Sequence, residues 1–363
     1  MKKSGDAGSA GTTEANRRRA SSADVARAAG VSRATVSRCF TDSALVRSDT
    51  RERVRRIAAE IGYEPNLLAR MLNTQESQIV AVITSDFSNP FQPALMETLS
   101  SALQVHGLTP LLLKSDSVAQ SADRLIQLAL SYRVAAIVVT VLNASPTVIA
   151  RCFQSHVPLI FLNRVADETA AVSVCANSRN GARRVAEILV EAGTTRIGMI
   201  SGLSGSWTNS ARRMGFRERL DELGFDVSAH VQGDFSYRSG YAAALELMMA
   251  APRLDAIYAG NDAMAFGALD ALRLERKVNV PEDVAVVGFD DVPIAAWGAY
   301  RLTTIHQPVR RMIEQTCQIL LRSDRGLSLS GGVFLHDGYL VQRSTTRSVA
   351  VRPGERDDKE FTH

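Results

Sequence analysis

Nowhere does the chain carry an apolar run approaching the ~18 residues that a membrane span requires. The N-terminal stretch MKKSGDAGSAGTTEANRRRA is charged, and no apolar segment follows it. A secretory signal is therefore not expected, and a cytoplasmic protein is. Cysteine is scarce. Cys39, Cys152, Cys175 and Cys317 lie far apart, and none sits in a C-x-x-C pair. That argues against a metal or disulfide framework and for four small buried apolar side chains. The histidines His106, His156, His230, His306, His336 and His363 are scattered without ligand spacing. G-x-S-x-G, P-loop and H-E-x-x-H patterns are missing too, so no catalytic constellation supports an enzyme, and no metal or cofactor is expected.

What is present suits a globular protein of two or three domains: 363 residues, 45% hydrophobic and 22% charged. The net charge of +4 is unevenly spread. Residues 1–75 hold 14 basic and 8 acidic residues, and the remainder holds 28 and 30. A basic head on a slightly acidic body suits contact with a phosphate backbone. Arg17-Arg18-Arg19 alone would be no more than a solvated tail. Residues 1–20, rich in Gly, Ser, Ala and Thr, cannot bury apolar surface and read as a disordered tail.

Three short helical patterns follow. In SSADVARAAG, Ser21 and Asp24 have capping-box spacing, and Gly30 fits a helix stop. VSRATVSRCF begins with Ser32 as N-cap. Over 48–61, Val54, Ile57, Ala58 and Ile61 recur at helical spacing, and Gly62 ends the run. Helix, tight turn and second helix make a helix-turn-helix, whose second helix offers its first residues to base edges in the major groove. Arg33 and Ala34 then point outward, while Val31 and Val36 face a small core. Ser32, Thr35 and Ser37 can donate to phosphates. Arg38 has the fork that suits guanine O6 and N7. Beyond Tyr63-Glu64-Pro65-Asn66, which breaks the pattern, Asn66 can cap a short helix LLARML.

From Gln78 the texture changes. Apolar runs IVAVIT (79–84), TPLLLK (109–114), AAIVVT (135–140), PLIFL (158–162), RIGMIS (196–201), LDAIYAG (254–260) and VAVVGF (284–289) alternate with amphipathic helices. The helices fall near 91–106, 119–131, 180–192, 209–223, 237–250 and 262–274. This predicts parallel α/β sheets covered on both faces. The strands are too many for one sheet, so two subdomains are expected.

DVARAAGVSRATVSRCF, continued by VRSDTRERVRRIAAEIGYEPNLLARML, resembles the head of the lac repressor and purine repressor (LacI/GalR) family of bacterial regulators. Asp24 to Ser37 match the motif D-V-A-x-x-A-G-V-S-x-x-T-V-S at every fixed position. The resemblance implies a helix-turn-helix headpiece (21–64) and a hinge helix and linker (65–76). In the hinge, Asn66, Ala69 and Leu72 approach DNA, and Leu72 wedges into the central minor-groove step. Ala34 departs from a polar readout and offers only apolar contact, which shifts readout to Arg33 and Arg38.

The resemblance continues more loosely through SDFSNPF (85–91), NDAMAFGALDAL (261–272), VPEDVAVVGFDDVP (280–293), LTTIHQP (302–308) and VQRSTTR (341–347). It implies an α/β periplasmic-binding-protein-like sensor of two doubly wound lobes over 77–346, then a flexible tail over 347–363. Lobe one is expected at 77–177 with part of 307–335, and lobe two at 178–306 with the last strand. Ligands in such lobes bind outside the carboxyl ends of the strands. The expected ligand residues are Phe91, Asn163 (where the family often has Asp), Arg212, Phe235, Asn261, Asp290 and Gln307. Asn261 and Asp290 could instead cap helices, and Phe235 could be core. Arg213 is expected to face solvent. Tyr300 replaces a family proline near Trp297, which can reshape the pocket or pack at a subunit interface. The implied function is a transcriptional regulator, a repressor, acting as a homodimer or tetramer on a near-palindromic double-stranded DNA operator. The implied effector is a small molecule, a sugar or sugar acid. The alternative is a cytoplasmic sugar-binding protein of solute-binding type without regulatory DNA binding.

Overall fold

A computed structural model describes residues 20–40, 46–64, 77–85, 87–115, 121–140, 143–166, 171–323, 331–350 and 352–357. The chain forms two units, 1–77 and 78–363. All but residue 20 of the expected tail at 1–20, and the hinge residues Asn66, Ala69 and Leu72, lie outside the described residues.

The first unit contains α1 (Ser22–Ala29), α2 (Arg33–Phe40) and α3 (Ser48–Glu60). The capping box forms as the spacing predicts: Asp24 Oδ2 accepts from Ser21 N at 3.0 Å, and Ser21 Oγ accepts from Asp24 N at 3.4 Å. Gly30 ends α1 at φ 64°, a left-handed conformation that costs glycine little. Val25, Ala29, Val36, Cys39, Val54 and Ala58 make a small core, with Val31 packed at its side. Tyr63 meets Phe40 edge to face at 5.8 Å.

The second unit opens with a six-stranded parallel sheet. It comprises β1 (Ile79–Thr84), β2 (Thr109–Lys114), β3 (Ala136–Val139), β4 (Leu159–Leu162) and β5 (Val172–Ala176), joined by the late β11 (Gly332–His336). The order is β11-β5-β4-β3-β1-β2. Its helices are α4 (Phe91–Val105), α5 (Asp123–Ser131), α6 (Pro146–Gln154) and the late α11 (Val309–Ser323). Because helices cover both faces, central strands such as LIFL are buried throughout.

The chain then crosses into α7 (Ser178–Glu191) and a second parallel sheet. This sheet comprises β6 (Ile197–Ser201), β7 (Val227–Gln232), β8 (Ala256–Ala259) and β9 (Ala285–Val287), ordered β7-β6-β8-β9. Helices α8 (Trp207–Glu222), α9 (Tyr237–Ala250) and α10 (Asp262–Asp270) flank it, and α10 runs on into a wider π-type turn, Ala271–Glu275. Two further crossings follow β10 (Thr304–His306) and precede β12 (Tyr339–Gln342), which pair antiparallel. The two-lobe expectation thus describes where the strands fall. All four cysteines are free and buried. Burial pushes the Cys152 and Cys175 thiols up to about 11 and about 12.

Of the stretch expected as a flexible tail (347–363), residues 347–350 and 352–357 are described, and the latter are tied to the body. β13 (Arg356–Asp357) pairs in parallel with β12. Glu355 forms a bidentate pair with Arg184 at 2.6 and 3.0 Å, and Arg352 reaches Glu187 at 2.8 Å. The charges of α7 select this path, because Arg184, Glu187 and Glu191 lie at helical spacing on one face.

Candidate DNA-reading face and effector cleft

On α2, Arg33, Ala34, Ser37 and Arg38 are exposed, whereas Val36 and Cys39 are fully buried. Ser32 Oγ accepts from Thr35 N at 3.0 Å and pairs with Thr35 Oγ1 at 2.9 Å. These two hydroxyls therefore build the cap of α2. The outward face carries two guanidinium groups, and α3 adds exposed Arg53, Arg55 and Arg56. This is the positive, hydrogen-bonding surface that a phosphate backbone and base edges require.

In the second unit, the candidate residues gather at the carboxyl ends of both sheets. Arg212 projects from α8 and is 3% exposed. Its Nη1 donates to Gly260 O at 2.6 Å, and its Nη2 donates to Asp290 Oδ1 at 3.0 Å. The Phe289 ring lies 3.8 Å from the guanidinium carbon, a cation–π contact. Gln307, at the crossing after β10, donates to the same Asp290 oxygen at 2.6 Å. Asp290 thus ties α8, the end of β9 and a crossing segment together. Burial pulls its carboxyl upward, and Arg212 opposes that. Two donors on one oxygen are what an ionised carboxylate accepts.

Phe235 takes φ 72° and its ring lies against Gly202, where a Cβ would come within 2.1 Å of the ring carbons. Only glycine permits that approach at the end of β6. Asn261 uses both ends of its amide within the chain. Its Oδ1 accepts from Met264 N at 3.0 Å, and its Nδ2 donates to Phe235 O at 3.1 Å. It caps α10 and holds the Phe235 backbone. Asn163, at the end of β4 with φ 63°, accepts from Thr208 Oγ1 through its carbonyl at 3.4 Å, bridging the lobes. Phe91 is 4% exposed and belongs to the core at the start of α4. Arg213 is exposed, as expected. Tyr300 packs on Phe266 at 4.5 Å and donates to Asp270 at 3.1 Å, whereas Trp297 is 59% exposed.

Residues 23–66 match the description "Bacterial regulatory proteins, lacI family", and residues 76–313 match "Periplasmic binding proteins and sugar binding domain of LacI family". The chain belongs to the LacI family. It is 33% identical to the HTH-type transcriptional regulator GalS of Salmonella typhimurium over 306 residues, covering 84% of this chain and 89% of GalS. It is 33% identical to the regulator CelR of Thermobifida fusca over 315 residues, covering 84% and 92%. Among solved structures, the lac repressor dimer bound to operator and the anti-inducer ONPF superposes with TM-score 0.81 at 27% identity, covering 91% of this chain and 100% of that one. A CelR–cellobiose complex superposes with TM-score 0.68 at 29% identity, covering 90% and 100%.

This LacI-family chain is a helix-turn-helix transcriptional regulator with a ligand-sensing body, not an enzyme. Two residues of its cleft escaped the sequence reading. Asn209, one helical turn before Arg212, accepts from Gly202 N at 2.7 Å and fixes the turn beneath Phe235. Asp262, fully buried, accepts from Val292 N at 2.9 Å and from Thr304 Oγ1 at 2.5 Å. Burial, and then the neighbouring Asp290, push its carboxyl up to about 8. Asn209 was detectable from its i, i+3 spacing to Arg212. Asp262 sat beside a named residue but carried no pattern of its own.

Proposed function

We propose that this regulator binds a near-palindromic operator as a homodimer or dimer of dimers, represses transcription there, and responds to a sugar-type effector held between its lobes. Arg33 and Arg38 read bases, Ala34 touches an apolar base edge, and Ser37 contacts phosphate, while Ser32 and Thr35 keep α2 in place. Asn66, Ala69 and Leu72 enter the minor groove, with Leu72 as the wedge. In the cleft, Arg212, Asp290 and Gln307 bind hydroxyls, and Phe235 covers a ring face. Asn163 and Phe91 shape the opposite wall, and Asn261 positions Phe235. A chain that reads chromosomal DNA works in the cytoplasm, at the nucleoid.

The observation that carries this reading is the Arg212–Asp290–Gln307 chain, which joins lobe two to a crossing segment. A ligand that engages it has different contacts in open and closed lobes, and such a difference is what couples two sites. CelR, whose solved complex holds cellobiose, supports a carbohydrate. The exposed face of α2 favours this reading over a solute-binding protein without DNA binding. The test is a gel shift of purified protein on DNA upstream of neighbouring genes at moderate salt, with and without candidate sugars. Sequence-selective shifts that a sugar alters are expected. Equal binding to operator and scrambled DNA under every condition would end this reading.

A further inference from the structure

The sequence leaves a sugar or a sugar acid open as the effector, but the structure pairs Arg212 within the chain. Its Nη1 and Nη2 are engaged by Gly260 O and by Asp290, and one face is covered by Phe289. Around this single guanidinium lie two buried carboxyls, Asp290 and Asp262. Whether Asp262 is protonated or not, this wall carries no net positive charge. Across the cleft, Thr84 ends β1 and Thr140 follows β3, both neutral groups. Arg164, beside Asn163, donates to Asn143.

The free hydrogen-bonding capacity points the same way. Gln307 Oε1 and Arg212 Nε are buried without a partner. Among described residues, nothing donates to Asp290 Oδ2. This wall therefore presents two acceptors and one donor, and the Thr84 hydroxyl across the cleft is also buried without a partner. A hydroxyl can donate to Asp290 or Gln307 and also accept from Arg212 Nε. A carboxylate or phosphate oxygen can only accept, and it would face Asp290, whose cation Arg212 is already paired with it.

Building on the effector-site reading above, we infer that this cleft selects an uncharged polyhydroxylated ligand over its anionic counterpart, with Asp290 as the discriminating residue.

The experiment uses full-length protein and matched pairs: galactose with galacturonate, glucose with glucose 6-phosphate, ribose with ribose 5-phosphate, and cellobiose with cellobionate. Thermal shift finds the binders, and calorimetry measures Kd. The neutral member of a binding pair is expected to bind at least about tenfold tighter, the factor that 1.4 kcal/mol represents. In Asp290→Asn the ratio is expected to narrow or reverse, because Arg212 loses its counter-charge. An anionic member that binds wild type as tightly as its neutral partner overturns the proposal, and this result does not depend on whether the variant folds. Silence from every pair, neutral and anionic, overturns the sugar-effector reading and this inference with it. An anionic preference overturns the charge selection alone.

Discussion

Arg212 and Asp290 meet at 3.0 Å with both side chains 3% exposed, the only described charge pair so completely removed from water. A buried pair is costly to break from one side, because the remaining charge stays desolvated. Arg212→Met is expected to destabilise the sensor by about 3 kcal/mol at neutral pH. The double variant with Asp290→Asn is expected to recover much of that loss. Urea unfolding of the four members of the cycle measures the coupling. Additive losses would show that the pair is not a unit.

Asp262 makes stability depend on pH. Its carboxyl is raised from an ordinary 3.8 to about 8 in the folded protein. The folded state therefore keeps a proton that the unfolded chain releases. Stability from this group is complete below about pH 4, falls as pH rises, and levels off above about pH 8, with a slope of at most about 1.4 kcal/mol per unit. Asp262→Asn is expected to flatten that slope, since an amide can still accept from Val292 N and donate to Thr304. Urea midpoints between pH 5 and 9 check it, and parallel curves for the two proteins would refute the assignment.

The C-terminal segment acts as a strap. Arg184 and Glu355, with side chains 10% and 9% exposed, share a bidentate contact while β13 extends the sheet of the crossing strands. Arg184→Met is expected to cost about 3 kcal/mol, because Glu355 is left buried without its cation. Glu355→Gln is expected to cost about 1–2 kcal/mol, because Arg184 keeps Glu191 at 3.0 Å. Thermal denaturation ranks the two. An unchanged melting temperature in Arg184→Met would show that the strap holds nothing.

Gly202→Ala tests the aromatic plate. The added Cβ falls 2.1 Å from the Phe235 ring, so the ring must leave. Effector affinity is expected to drop at least about tenfold, while effector-free operator binding stays within about twofold. Calorimetry and a gel shift read the two separately. Intact effector affinity would remove Phe235 from the site.

Much of this architecture was legible because period and burial agree. IVAVIT and LIFL read as buried parallel strands and form them. The strands that escaped notice have other characters. Val227–Gln232 alternates half-buried and exposed residues at a sheet edge, so Ser228 and His230 interrupt any apolar run. Val172–Ala176 is buried, but Ser173 interrupts its apolar run, and the Ser173 hydroxyl accepts from Ala166 N. The strap escaped because a run of charges looks solvated until Arg184 supplies its partner 171 residues away. In the cleft, residue types indicated chemistry but not geometry. The sequence could not show that Arg212 was already paired, or that the Asn261 amide was fully engaged in capping α10 and holding Phe235. Those facts depend on which strand ends the fold brings together.

One ligand is proposed to control the operator affinity of this chain. The most direct measurement is operator binding by fluorescence anisotropy at fixed salt, with and without the tightest-binding neutral sugar, in wild type and in Leu72→Ala. In wild type the sugar is expected to change operator Kd at least about fivefold, within the usual range of coupling between sites. Leu72→Ala is expected to weaken operator binding while leaving sugar affinity of the free protein nearly intact. An operator Kd in wild type that a saturating sugar leaves unchanged would contradict the account.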